Sequence, residues 1–223
     1  MKTLAELKGL IPDKLYNILE KDGIKELRPA QAKALKAGLL KGKSLLVCTP
    51  TASGKTLIAE LGGVSNILNG KGKVLYIVPL KALGNEKYKD FKRRYGEVIR
   101  IALSTGDLDS SDDYLAEYDL IVCTAEKLDS LIRHRAPWLS SVSTVIVDEA
   151  HLINDVSRGP TLEIIITVLR ELLKNLQIIA LSATIGNPKE LADWLKAELV
   201  MDDWRPVKLH KGIYYRGKVE FPE

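Results

Sequence analysis

Six short apolar runs, each closed by a cluster of polar residues, constrain this chain more than any other feature. Residues 45–47 run into Thr49-Pro50-Thr51, 74–78 into Pro79-Leu80-Lys81, and 99–103 into Ser104-Thr105-Gly106-Asp107. Residues 120–122 lead into Thr124-Ala125-Glu126-Lys127, 145–147 into Asp148-Glu149, and 178–181 into Ser182-Ala183-Thr184. Continuous rather than alternating runs, rich in Val and Ile, are the pattern of strands covered on both faces. Between most of them lie segments of helical periodicity at 57–68, 81–95, 125–134, 162–173 and 189–196. Strand alternating with helix predicts an α/β fold: a mostly parallel sheet, right-handed crossovers and helices on both faces. In such a sheet every strand ends on the same edge, where ligands bind. All six polar clusters are therefore expected along one rim.

The 223 residues suit one large α/β domain with at most a small appendage. At 46% hydrophobic and 28% charged, the chain can bury a sizeable core, which excludes a disordered protein. A net charge of +4 is compatible with nucleic acid without demonstrating it. Cys48 and Cys123 each sit inside an apolar run and read as buried, reduced thiols in a reducing compartment. The first fifteen residues carry no apolar signal core, and no stretch has the length to span a bilayer. The expectation is a soluble, intracellular, cytoplasmic protein with no membrane partner and no structural metal. Two helical stretches, 13–21 and 29–40, precede the first strand, and the segment after 198 reads as one or two further strands or an exit.

"CTPTASGKT", residues 48–56, nearly matches the phosphate-binding loop, which asks for Gly, four residues, then Gly-Lys-Ser/Thr. Gly54, Lys55 and Thr56 are in place, but Thr49 stands at the first Gly. The chemistry of such a loop resides in backbone amides that cradle phosphate oxygens at a helix N-terminus. Thr49, Pro50, Thr51, Ala52, Ser53 and Gly54 would form the cradle, Lys55 reach the β/γ-phosphates, and the Thr56 hydroxyl ligate Mg²⁺. The missing Gly contributes conformational freedom rather than a functional group, so a small residue can replace it. The plain alternative is an ordinary helix start at 53–56.

"TVIVDEAH", 144–151, weighs against that alternative. An apolar strand ending in Asp148-Glu149 puts two carboxylates on the same rim as Lys55. Asp148 is placed to hold the Mg²⁺ bridging two phosphates, and Glu149 to orient and deprotonate an attacking water. Two acids at a helix start would also suit the helix dipole, but that leaves the matching loop unexplained. The pair points to an ATP hydrolase.

Combined with "TPTASGKT" and "LSAT", the run Asp148-Glu149-Ala150-His151 resembles the first RecA-like domain of superfamily 2 helicases. More narrowly, "PTASGKTLIAE", "VPLKALGNEKY", "STGDLDSSDD", "CTAEKLDSLIRH", "DEAHLI", "RGPTLE", "LSATIGN" and "DWRPVKL" are similar to the archaeal Holliday-junction-migration helicases, DNA repair enzymes of stalled forks. The likeness runs in order over nearly the whole chain. It implies a RecA-like P-loop NTPase domain with ATP and Mg²⁺ as cofactors and single-stranded or forked DNA as partner. By position, Gln31 matches the glutamine that reads adenine, although Pro29 and Gln31 also suit the plain opening of a helix. Pro79, Leu80, Lys81, Thr105, Gly106, Thr124, Ala125 and Glu126 match segments that grip one strand's backbone. His151, Ser182 and Thr184 match residues linking the ATP site to that surface. The expected division is 1–42 as N-terminal helices with the adenine-reading residue, 43–204 as the first RecA-like domain, and 205–223 as an exit toward a second domain.

Ala150 replaces the Val more common in the archaeal family and alters packing rather than a ligand. Superfamily 2 enzymes place ATP between two RecA-like domains, and the second supplies arginines. No second such sheet follows Thr184, so the chain reads as a fragment whose partners include the remaining helicase domains. Two competing readings stay open: the first domain of an RNA helicase, and a nucleotide-dependent nucleic-acid-binding module that never turns over. "KYKDFKRRYG", 87–96, reads as a solvated amphipathic helix face in preference to a nucleic-acid patch, and "DLDSSDD", 107–113, as a turn and helix cap. His134 and His210 lack partners at metal-ligand spacing, and Trp138, Trp194 and Trp204 read as packing residues.

Overall fold

The protein is described by a computed structural model covering residues 2–106, 112–207, 212–215 and 217–220. Seven strands form one sheet: β1 (Leu45–Cys48), β2 (Lys73–Val78), β3 (Ile101–Ser104), β4 (Leu120–Thr124), β5 (Val142–Val147), β6 (Gln177–Ser182) and β7 (Glu198–Met201). Their order is β3-β4-β2-β5-β6-β1-β7, and every pairing is parallel. The expected parallel α/β architecture is therefore present, and β7 extends it beyond the last helix. A separate antiparallel hairpin, β8 (Ile213–Tyr215) and β9 (Lys218–Glu220), closes the described chain.

Seven α-helices cover the sheet: α1 (Asp13–Lys21), α2 (Pro29–Ala37), α3 (Lys55–Leu68), α4 (Lys81–Tyr95), α5 (Ala125–Arg133), α6 (Gly159–Leu172) and α7 (Pro188–Leu195). Alternation along the strands divides the core in two. Val47, Val74, Tyr76, Val122 and Ile146 face the side of α1–α4, whereas Leu46, Leu75, Ile121, Val145 and Ile178 face that of α5–α7. Strands β1, β4 and β6 are buried throughout, and β2 and β5 at all but one residue each, which is why they read as unbroken apolar runs. The helix expected over 29–40 stops at Ala37, because Gly38 turns left-handed (φ 106°) and a tighter turn, Leu39–Lys41, follows. Of the stretch 107–113, residues 107–111 lie outside the described residues, as does His210.

Two buried polar joints fix the helices, one against the sheet and the other helix to helix. On α3, Asn66 Nδ2 donates to Thr144 Oγ1 (2.8 Å) and to Gln177 Oε1 (2.7 Å), while Gln177 Nε2 donates to the Leu39 and Lys43 carbonyls. This joint sits at the starts of β5 and β6, opposite the rim, and nearby Gly62 lets α3 lie close: a Cβ there would stand 2.5 Å from Ile179. Further along, buried Glu60 accepts from Arg94 (2.6 Å) and Tyr95 (2.7 Å), and Arg94 also reaches Asp22 (2.7 Å). Desolvation raises the Glu60 pKa even against the opposing pull of Arg94.

An unmade buried hydrogen bond costs about 1–3 kcal/mol. Asn66→Ala strips a donor from both Thr144 and Gln177, so its unfolding free energy falls by that amount, read as a lower urea midpoint at unchanged slope. A stability equal to wild type would show that the joint is not a fixing point.

Candidate functional site

The 48–56 turn joins β1 to α3 and keeps its first residue in sheet register, since Thr49 N–H donates to the Ser182 carbonyl at 3.2 Å. Thr49 is fully buried, and its hydroxyl shares a hydrogen with the Ser53 hydroxyl (2.5 Å), clasping the loop from inside. The left-handed residues of the loop are Ala52 (φ 64°) and Gly54 (φ 87°), not Thr49. That explains the missing first Gly: the position asks for no special backbone conformation, and its side chain has an internal partner. Ala52 instead carries the strain. Gly54 is needed twice over, because a Cβ there would also lie 2.5 Å from Gln31 Nε2.

Two residues before and within α2 brace this loop. Gln31 Oε1 accepts from Arg28 N–H (2.8 Å), the helix-opening role, and Gln31 Nε2 donates to the Gly54 carbonyl (3.0 Å). The Arg28 guanidinium donates to the Ala52 carbonyl (2.6 Å) and lies over the ring of Trp204, 5.6 Å from its centre. Trp204 is thus a half-exposed partner of the loop brace rather than a packing residue. Lys55 points back over the loop, its ammonium donating to the carbonyls of Ser182 (3.0 Å) and Thr49 (3.4 Å).

Asp148 leaves β5 with its N–H on the Ile77 carbonyl (2.9 Å). Its Oδ1 accepts from Glu149 N–H (3.1 Å), and its Oδ2 from the Tyr76 hydroxyl (3.0 Å). Burial first, then the Asp148 charge, push the Tyr76 pKa well above its ordinary value, so the phenol remains a donor. Lys87, on α4, ties the two halves together: its ammonium lies 3.0 Å from Thr56 Oγ1 and 3.8 Å from Asp148 Oδ2. The hydroxyl and carboxylate expected to bind Mg²⁺ are thus hard oxygen donors converging on a position that already attracts a cation, and they fit that ion.

Glu149 takes the left-handed conformation (φ 54°), which swings its side chain out from the strand tip. In the short turn Ala150–Asn154, His151 Nδ1 lies 3.3 Å from Ala183 N and 3.3 Å from Glu149 Oε2. A lone pair there accepts from Ala183, and a proton there faces Glu149; one nitrogen serves one partner at a time. Ser182 Oγ donates to the Ala183 carbonyl (2.8 Å), and Thr184 is exposed beside it.

The remaining candidates follow along the rim. Leu80, Lys81, Gly106 and Glu126 are exposed, and Pro79, Thr105 and Ala125 half-buried. Thr124 is buried and its hydroxyl caps α5, accepting from Lys127 N–H at 3.3 Å. A narrow cleft is lined by Pro79, Ala125, Glu126, Asp148, Glu149 and Arg158, so the two residue sets meet. The segment 87–96 is less solvated than its composition suggests: Phe91 and Tyr95 are core, Arg94 serves Glu60, and Lys87 faces the site. Sequence reasoning missed Tyr76, Lys87 and Arg28. The first lies inside an apolar run; the second had a signal, standing one helical turn before Phe91 on the inward stripe of α4.

Residues 28–191 match the sequence profile of the DEAD/DEAH box helicases. The chain belongs to that family. It is 53% identical over 209 residues to the ATP-dependent DNA helicase Hel308 of Pyrococcus horikoshii, covering 94% of this chain and 29% of that one. To the Hel308 of Methanocaldococcus jannaschii it is 57% identical, covering 94% and 18% respectively. Thus the chain spans less than a third of the length of these curated relatives. Among solved structures it is similar to the DUF1998 helicase MrfA bound to DNA, with a TM-score of 0.74, 27% identity, 86% of this chain covered and 30% of that one. The expected helicase resemblance and RecA-like fold hold. No helix among the described residues is long and apolar enough to cross a membrane.

In this DEAD/DEAH domain, Gly54→Ala meets both a disfavoured φ and the Gln31 amide. It is expected to lower stability by about 1–3 kcal/mol and to remove binding of a fluorescent ADP analogue. Wild-type ADP affinity in that variant would contradict the bracing described above.

Proposed function

We propose that this chain is the ATP-binding motor domain of an ATP-dependent DNA helicase that acts in DNA repair and replication-fork restart. Residues 1–42 would supply the adenine-side brace, 43–204 the RecA-like ATP domain, and 205–223 the lead toward a second RecA-like domain. The carrying observation is the meeting of the loop after β1 and the tip of β5 at one cation-attracting position, through Thr56 and Asp148.

On this reading, the amides of 49–56 at the start of α3 hold the phosphates, aided by the helix dipole. Lys55 moves from the Ser182 and Thr49 carbonyls to the β/γ-phosphates. Gln31 keeps Gly54 in place with one amide hydrogen and offers the other, with a free lone pair, to adenine. Thr56 and Asp148 would hold Mg²⁺, which would supply charge neutralisation at the phosphate oxygens. Glu149 orients the attacking water and accepts its proton. Released phosphate contacts change what His151, Ser182 and Thr184 bond to, and so reach Pro79, Leu80, Lys81, Thr105, Gly106, Thr124, Ala125 and Glu126, the contacts to one DNA strand. Those side chains and backbone groups suit phosphates, which carry no sequence information. The high identity to proteins named DNA helicases favours DNA over RNA as substrate.

Two measurements test this. In the full-length protein Glu149→Gln should cut ATP turnover about 10²–10⁴-fold while leaving ATP affinity unchanged; persistent turnover would remove Glu149 as the base. A partner arginine contributes roughly 10³–10⁵ in rate. The 223-residue chain alone should therefore hydrolyse ATP slower than a chain extended by the next domain by about that factor, with no stimulation by single-stranded DNA. Robust DNA-stimulated turnover by the short chain would contradict the two-domain reading.

A further inference from the structure

We propose that Lys87 is a tethered counter-cation of the metal position: its ammonium stands there when no metal nucleotide is bound and yields the place when one enters. The inference rests on the assignment of Thr56 and Asp148 as metal ligands. One ammonium nitrogen touches both, at 3.0 and 3.8 Å, and its side chain is only 20% exposed. Lys87 contacts both residues, while the Lys55 ammonium is engaged with the Ser182 and Thr49 carbonyls. Tyr76 donates to the same carboxylate oxygen that faces Lys87, so Asp148 Oδ2 has both the phenol and the ammonium as neighbours.

Like charges at this separation repel strongly in a partly buried site, so a divalent ion and the ammonium cannot share the position. The lysine therefore has two physical effects. It keeps Asp148 compensated in the nucleotide-free domain, and it raises the metal concentration needed to load the site. Departure of Lys87 also loosens the grip of α4 on the rim. Lys87 lies less than two turns from Lys81 on one helix, and that first turn packs tightly, since a Cβ at Gly84 would sit 3.2 Å from Val78 and 3.4 Å from Thr105. Metal loading is thereby mechanically adjacent to Pro79–Lys81 and Thr105, the proposed strand contacts.

The test is a Mg²⁺ titration of fluorescent-ADP binding to this chain, read by anisotropy. Coupling energies between sites commonly amount to about 5–150-fold in affinity. Lys87→Met, which retains length and loses charge, should lower the half-saturating Mg²⁺ concentration at least about fivefold. Lys87→Arg should keep it near wild type. In Lys87→Met, the factor by which Mg·ADP alters single-stranded DNA affinity should shrink toward one. Lys87→Gln replaces the methionine variant if that one fails to unfold cooperatively. An unchanged or higher Mg²⁺ requirement in Lys87→Met would overturn the inference, the latter by making Lys87 a nucleotide ligand. Asp148→Asn separates the two levels: if it leaves the wild-type Mg²⁺ dependence untouched, the metal assignment itself fails, whatever Lys87 does.

Discussion

Parallel pairing carries β1, β6 and β5 to a common edge, and the functional geometry depends on their register. Cys48 lies opposite Ser182, Ala180 opposite Val147, and Val147 opposite Ile77. Each strand therefore ends within a residue or two of its neighbours, and the chain that follows each has no choice but to turn over the same rim. Because Thr49 N–H still bonds the Ser182 carbonyl, the phosphate-loop candidate begins as a continuation of the sheet. Asp148 begins likewise, on the Ile77 carbonyl. A shift of one residue would turn every buried side chain to the opposite face, so the core that fills both faces also holds the rim in place.

Rigidity and strain are distributed unequally. At the back, Asn66, Thr144 and Gln177 close a buried network, and Glu60, Arg94 and Tyr95 another. Left-handed non-glycine residues include Ala52 and Glu149 at the front, with Asp112, Arg135, Asn175 and Lys196 elsewhere in the chain. Such conformations persist only where surrounding structure over-determines them. Here the bracing is explicit: Arg28 on the Ala52 carbonyl, Gln31 on the Gly54 carbonyl, and Asp148 on the Glu149 amide.

Much of this was legible in the amino-acid sequence because it depends on local patterns. Unbroken Val/Ile runs located β1 to β6, and the Gly-Lys-Thr and Asp-Glu clusters located the two halves of the candidate site. Strand order was not legible, since periodicity says nothing about which neighbour a crossover skips; β2 pairs with β5 and β4 although β1 precedes it. The place of Thr49 became intelligible only with the backbone angles, which put the left-handed turn at Ala52 and Gly54. For Gln31 the sequence left adenine reading and helix opening open. The helix-opening bond exists, and the buried Gln31 amide also holds the Gly54 carbonyl. Lys87 was only partly legible: its spacing four residues before Phe91 puts it on the inward stripe of α4, but its meeting with Thr56 and Asp148 is seen only in the folded chain. Thr124 was hidden differently, because a hydroxyl at a strand end serves equally as a cap or a ligand until its partner is seen.

The proposed convergence of Thr56 and Asp148 on one metal-bearing triphosphate is tested most directly by anomalous diffraction from crystals grown with Mn²⁺ and a non-hydrolysable ATP analogue. The expected peak lies between the Thr56 hydroxyl and the Asp148 carboxylate, with phosphate oxygens on the amides of 53–56 and the Lys87 ammonium displaced. A Mn²⁺ peak bounded by other residues, or phosphates remote from that turn, would contradict it.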